Sequence, residues 1–378
     1  MPEDELPLRR RILFIYLGRR GVLGRLTLDL ARELDGSNEI AAFFALSNQN
    51  KAIREFAWLG PALLGLDTFA RVLSPAHPLN FWRSRRRLLA FISEHRISHV
   101  VTLMPHIWTP VLAPALRARG LHYTTIIHDA VSHPGDPTAA VTPWLRREAG
   151  FADDVVALSA SVGRTLVEGG HAPLSRIRTL FVPDLNYGAL SAPRRRDRAQ
   201  PLRLLFFGRI LAYKGLPLLV DAVERLHADG LQIHLGVAGD GDISELRNRL
   251  EAIGAEIVNR WLDDCELAPL LARYDAVALP HIEASQSGVA AVAFANCMPV
   301  IAMRSGGLED QVTDGQTGVL ADSVTGEALA IAIKRLDMTP ELYESISASL
   351  FDHAQHRSIA AFARALTTFP MPSRMDSP

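Results

Sequence analysis

The stretch "RILFIYLGRRGVLGRLTLDLARELDGSNEIAAFFAL", residues 11–46, carries the pattern that decides the fold. Its opening run "RILFIYL" (11–17) is apolar almost throughout, which suits a strand covered on both faces and hence a parallel sheet. Leu26, Leu30 and Leu34 then repeat at four-residue steps, the stripe of a helix lying on that sheet. The run "IAAFFAL" (40–46) returns to the first pattern. Strand, helix and strand recur downstream through "HVVTLM" (99–104), "YTTIIHD" (123–129), "DVVALS" (154–159) and "IRTLFV" (177–182). Residues 1–190 therefore read as one doubly wound domain.

The segment "SAPRRRDRAQP" (191–201) interrupts this alternation with prolines, four arginines and no apolar period, and reads as a linker. The alternation restarts with "LRLLFFG", "LQIHLGVAG", "AEIVNRW", "DAVALP" and "PVIAM", giving a second doubly wound domain over 202–340. Residues 341–370 read as carboxyl-terminal helices that cross back to the first domain, and 371–378 as a tail. The expected fold class is α/β, with two doubly wound parallel-sheet domains facing a cleft. In such sheets ligands bind beyond the carboxyl ends of the strands.

Composition narrows the functional classes. At 378 residues, with 48% hydrophobic and 21% charged residues, the chain has material for two cores and no disordered bulk. A formal charge of −1 offers no global field for coating nucleic acid. Only Cys265 and Cys297 are present, too few for a disulfide framework, which fits a reducing compartment. The first residues, "MPEDELPLRRRILFIYLG", begin acidic and carry an apolar run too short for a signal-peptide core. The expectation is a cytoplasmic protein, peripheral at the inner face of the plasma membrane.

Two constellations carry chemistry. "FFGRILAYKG" (206–215) follows a strand and precedes a helix, with Arg209 and Lys214 between Gly208 and Gly215. Lysine is rare here, occurring only at 51, 214 and 334. A compact ammonium beside a guanidinium at a helix N-terminus suits an anion, most naturally a phosphate. A solvated pair capping the helix is the plainer alternative. The second constellation runs from Leu279 to Leu320: a strand ends at Pro280, Glu283 follows, and Gln286, Ser287 and Gly288 open a helix of small residues. That places a carboxylate and free backbone N–H groups at the rim of the same cleft. A capped helix with Glu283 facing water is the alternative there.

Read together, "FFGRILAYKGLPLLVDAVERL", "LGVAGDGD" and "ALPHIEASQSGV…FANCMPVIAMRSGGLEDQVTDGQTGVLAD" resemble the carboxyl-terminal half of the retaining glycosyltransferases of family four, also called group 1, over roughly residues 202–336. The resemblance implies a GT-B architecture of two Rossmann-like domains and transfer of a sugar from a UDP- or GDP-sugar. It implies that Arg209 and Lys214 hold the donor diphosphate, that Glu283 contacts the transferred sugar, and that Gly239 and Gly241 lie where a "GxG" turn approaches the nucleotide. The family commonly carries two glutamates with seven residues between them, the second holding the ribose. Here that count lands on Ala291, and alignment from "PVIA" lands on Val292, neither with a polar side chain. Gln286 or Ser287 would substitute. The "EASQSGV" version resembles members that assemble polysaccharides, which implies a glycan or polyprenyl-diphosphate-linked acceptor.

The amino-terminal half supplies the opposite wall. Gly21 and Gly24 fall between the first strand and its helix, where the resembled family approaches donor phosphates. His128 and Asp129 end a strand in "IIHDAVSHPGD" (126–136), a pairing suited to acceptor positioning or proton handling. A histidine bonded to a neighbouring carbonyl is the plain alternative. A metal reading through His128, Asp129 and His133 has neither the spacing nor a further cluster to support it. Finally, "NFWRSRRRLLAFI" (80–92) interleaves Phe81 and Trp82 with Arg83, Arg85, Arg86 and Arg87, a composition suited to an anionic membrane surface, or to a solvated helix with a core-facing stripe. The function expected is retaining hexosyl transfer with no cofactor or metal. A nucleotide-sugar epimerase on the same fold and a non-catalytic GT-B partner subunit are the alternatives.

Overall fold

The computed structural model describes residues 9–19, 21–68, 77–131, 140–188 and 192–368. The amino-terminal domain contains strands β1 (Arg10–Tyr16), β2 (Ile40–Ser47), β3 (Leu63–Leu66), β4 (His99–Thr102), β5 (His122–Ile127), β6 (Asp154–Ala157) and β7 (Ile177–Thr179). Helices α1 (Val22–Leu34), α2 (His77–Glu94), α3 (Thr109–Arg117), α4 (Thr142–Phe151) and α5 (Ala160–Glu168) alternate with them. Every pairing is parallel, in the order β3-β2-β1-β4-β5-β6-β7. Alternate residues of β1 enter different cores. Ile12, Phe14 and Tyr16 join the leucines of α1, whereas Leu13 and Ile15 join Leu88, Leu112 and Leu116 of α2 and α3. This two-sided burial is why the run is apolar without alternation.

The carboxyl-terminal domain repeats the plan with β8 (Leu202–Phe207), β9 (Ile233–Ala238), β10 (Glu256–Val258), β11 (Ala276–Leu279), β12 (Val300–Met303) and β13 (Gly318–Ala321). Its helices are α6 (Leu216–Ala228), α7 (Arg247–Ala252), α8 (Asp264–Ala272), α9 (Gly288–Ala295), α10 (Gly307–Gln311) and α11 (Gly326–Met338). The order β10-β9-β8-β11-β12-β13 reverses direction between β8 and β11, which opens a crevice beyond their carboxyl ends. The core on the α1 side of the first sheet is continuous with the core of this second domain.

Two four-residue strands were not among the runs read from sequence. β3, "LLGL", is an edge strand weakened by a glycine, and β13, "GVLA", follows so many turn residues that it reads as their continuation. The segment expected to be a plain linker is docked against the second domain. Arg194 donates to the carbonyls of Leu271 and Tyr274, and Arg196, almost wholly buried, pairs with Asp337 at 2.6 Å.

After α12 (Pro340–Asp352) the chain returns to the first domain as α13 (Ile359–Thr367). Arg10 donates to the Thr367 carbonyl and Arg178 to those of Ala365 and Thr368, placing two cations at the negative end of α13. Where the two crossing segments meet, Arg357 Nε lies 3.0 Å from Asp184 Oδ1, and Asp184 N–H donates to the Arg357 carbonyl at 2.8 Å. Burial raises the Asp184 carboxyl to about 6, outweighing the opposing pull of Arg357. The unfolded carboxyl titrates near ~3.9, so between the two values the folded chain binds more protons and its stability falls as pH rises. Asp184→Asn should therefore remove part of the decline in melting temperature between pH 4 and pH 7. An unchanged pH slope in thermal melts would contradict this.

Candidate active site

The loop from β8 to α6 and the loop from β11 to α9 leave adjacent strands at the crevice. Three contacts tie them together. Ile282 N–H donates to the Tyr213 carbonyl at 2.8 Å. Gly215, left-handed at φ 69, lies so close that an added Cβ would sit 1.9 Å from the Pro280 oxygen. Lys214 Nζ lies 2.8 Å from His281 Nε2 and 5.4 Å from the centre of the Tyr213 ring. An ammonium has only donors, so Nε2 of the buried His281 accepts in this contact. Lys214 is thus half-buried and aimed by a histidine, whereas Arg209, on the same loop, is exposed.

His281 was not singled out in the sequence, although "LPHIE" places it just beyond the strand end. Its signal lies in the tertiary contact with Lys214.

Glu283 is exposed at the start of the β11–α9 loop. The backbone that follows is held by α10: Gly307 N–H donates to the Ala284 carbonyl at 2.7 Å, while the Gln311 amide brackets Ser287, accepting from its N–H and donating to its carbonyl at 2.9 Å each. The expectation of a free N–H at Ser287 is corrected by this bracket. Its hydroxyl is also engaged, accepting from Ala290 N–H to cap α9. Gln286 differs: its amide oxygen is buried with no hydrogen-bond partner among the described residues. Of the two substitutes for the missing glutamate, Gln286 retains an acceptor. Ala291 and Val292 are fully buried within α9.

Gly239 and Gly241 serve the packing of the two neighbouring loops. An added Cβ would meet the Gly208 oxygen at 1.7 Å and the Ile210 oxygen at 2.2 Å respectively, and Ile210 N–H donates to the Asp240 carbonyl beside them. They thereby fix the backbone on either side of Arg209.

The first domain reaches the same place. Gly21, at φ 108, precedes α1, and Val22 lies so near Gly288 that a Cβ there would approach Val22 Cγ1 to 2.8 Å. The structure therefore brings the Gly21 turn against the start of α9. Gly24 was placed by sequence in the turn but lies inside α1, where a Cβ would make only ordinary contacts with Tyr16 and Asn50. The helix begins at Val22 because Gly21 itself makes the turn. His128 is buried and its Nε2–H donates to the Leu103 carbonyl at 2.7 Å; burial lowers its pKa. One of its nitrogens is thus committed to the fold, as in the plain alternative. Asp129 is exposed beside it, and His133 lies outside the described residues. Among the described residues no group of three His, Cys, Asp or Glu is gathered to hold a metal.

Comparison with known proteins agrees with this fold. Residues 201–337 match the family described as "Glycosyl transferases group 1". The chain is 31% identical over 200 residues to a glycogen synthase of Mycobacterium tuberculosis, covering 52% of this chain and 47% of that one. It is 33% identical over 187 residues to a D-inositol 3-phosphate glycosyltransferase of Corynebacterium glutamicum, covering 46% and 45%. The alignments span about half the length of these relatives. Among solved structures, Anabaena Alr3699/HepE in complex with UDP and glucose superposes with a TM-score of 0.70 at 17% identity, over 95% of this chain and 98% of that one. Residues 201–337 thus match the glycosyl transferases group 1 family, and they are carried on a scaffold with the two-domain GT-B fold.

Proposed function

We propose that the chain transfers a hexosyl group from a nucleotide sugar to an acceptor hydroxyl with retention of anomeric configuration. The observation that carries this reading is the Lys214–His281 contact at the crevice between β8 and β11, with Glu283 two residues further on and the Gly21–Val22 turn closing over α9. In the reaction, the bond from the anomeric carbon to the diphosphate oxygen breaks and the electron pair leaves with the diphosphate. Arg209 and Lys214 stabilise that charge in a site shielded by two domains. Glu283 orients the sugar, Gln286 accepts from the ribose, and the acceptor oxygen bonds to the anomeric carbon while its proton passes to a departing phosphate oxygen. The protein's own cations do the neutralising, so the scheme has no step for a metal.

UDP is the favoured base, because HepE, which shares the fold, binds UDP and UDP-glucose. A thermal-shift screen across UDP- and GDP-sugars tests this, since a bound donor raises apparent stability by mass action. UDP-sugars should raise the melting temperature and GDP-sugars should not. A chain shifted by neither contradicts the reading. Product analysis separates transfer from epimerisation, which would release free sugar with no acceptor present.

The preferred acceptor is a lipid-linked glycan in cell-surface polysaccharide assembly, used at the cytoplasmic face of a membrane. Supporting this, α2 presents Leu79 and Trp82, 62% and 58% exposed, with Arg85 stacked 5.6 Å from the Trp82 ring centre. No helix among the described residues is long and apolar enough to cross a membrane. Trp82→Ala should weaken flotation with anionic liposomes severalfold while leaving transfer to soluble sugars intact. Equal flotation of both proteins would remove the membrane role.

A further inference from the structure

The loop that carries Glu283 is held from both domains at once. On its own side it is fixed by α10 through Ala284 and Ser287. From the first domain, Ser159 Oγ donates to the Ser285 carbonyl at 2.7 Å, and Ser161 N–H donates to Asp310 Oδ2 at 3.0 Å. The proton of Ser159 is committed to Ser285, because its oxygen accepts from Val162 N–H as the cap of α5. Asp310 places a carboxylate at the positive end of the same helix. The junction has no spare space: a Cβ on Gly307 would lie 1.7 Å from the Ser285 oxygen and 2.9 Å from Ser159 Oγ.

Resting on the function proposed above, we infer that Ser159 and Asp310 are positioning residues, a latch between the domains that sets the 283–287 loop when the cleft is closed. Donor and acceptor of each bond lie on different domains, so opening the cleft breaks both. The loop then keeps its α10 contacts but loses the hydroxyl that fixes Ser285, two residues from Glu283. Closure and the placement of Glu283 are thereby coupled, and whatever favours one favours the other. The arrangement makes the first domain, which is not part of the matched family segment, a direct contributor to the geometry of the sugar-binding loop.

The test uses Asp310→Ala, which leaves the α5 cap intact, together with Ser159→Ala and Asp310→Asn. Small-angle scattering on the full chain without ligand should show a larger radius of gyration for Asp310→Ala and Ser159→Ala than for wild type. Asp310→Asn, which keeps an oxygen to accept from Ser161 N–H without adding volume, should restore the compact value. With a nucleotide-sugar donor, kcat should fall about three- to tenfold in both alanine variants, the worth of one hydrogen bond, while affinity for UDP stays unchanged. Unchanged radii in both alanine variants overturn the latch. Expanded variants with wild-type kcat overturn the positioning role. A wild-type chain that transfers no sugar refutes the proposed function but leaves the scattering comparison standing.

Discussion

Replacing Lys214 with alanine is expected to slow turnover about 10²–10³-fold, the usual loss for one electrostatic donor aimed at developing charge. The size follows from how the ammonium is held. His281 accepts from it at 2.8 Å and the Tyr213 ring lies 5.4 Å away, so in the proposed reaction little reorganisation is needed when the diphosphate departs. Affinity for the intact donor should fall less than kcat, because the diphosphate gains charge only as the glycosidic bond breaks. Lys214→Arg should rescue poorly, since a planar fork cannot reproduce a point donor seated against one ring nitrogen. Steady-state rates and titrations with the nucleotide-sugar donor on folded, purified variants measure both quantities. Near-normal turnover in Lys214→Ala would end the assignment.

What is legible in the sequence shares one property: its signal is local. The strand runs were legible because a strand covered on both faces is apolar throughout, and β1 sends alternate residues into two cores. Lys214 stood out by rarity and Glu283 by its place after a strand end. What the sequence did not yield was set by partners distant along the chain. His281 lies 67 residues from Lys214, Gln311 lies 24 from Ser287, and Ser159 lies 126 from Ser285. No periodicity links such pairs. The bracket by Gln311 also explains why the helix start at Ser287 reads in sequence as an open N–H, since the side chain that fills it arrives from α10. Arg194 and Arg196 read as part of a plain linker for a related reason. Their acceptors are carbonyls and carboxylates of folded elements that composition does not reveal.

Gly215→Ala should be nearly as damaging to turnover as loss of the lysine beside it, although it touches no charged group. The residue stands at φ 69, where an L side chain costs about 1–2 kcal/mol, and its new Cβ would meet the Pro280 oxygen at 1.9 Å. That oxygen is backbone at the end of β11, so the 213–215 segment must move away from 280–282. The movement breaks the bond from Ile282 N–H to the Tyr213 carbonyl and draws Lys214 from His281. A displacement near ~1 Å at a reacting centre costs about 10²-fold in rate, so a loss of that order is expected in kcat. Gly230→Ala is the matched control. Gly230 sits beyond the other end of α6 at φ 83, and a Cβ there would meet nothing within 4 Å. It should lower the melting temperature through backbone strain alone and leave turnover intact. If both variants lose activity in proportion to stability, the contact with Pro280 does not position the lysine. If only Gly215→Ala does, the crevice between β8 and β11 is shown to depend on a glycine that lets two loops touch.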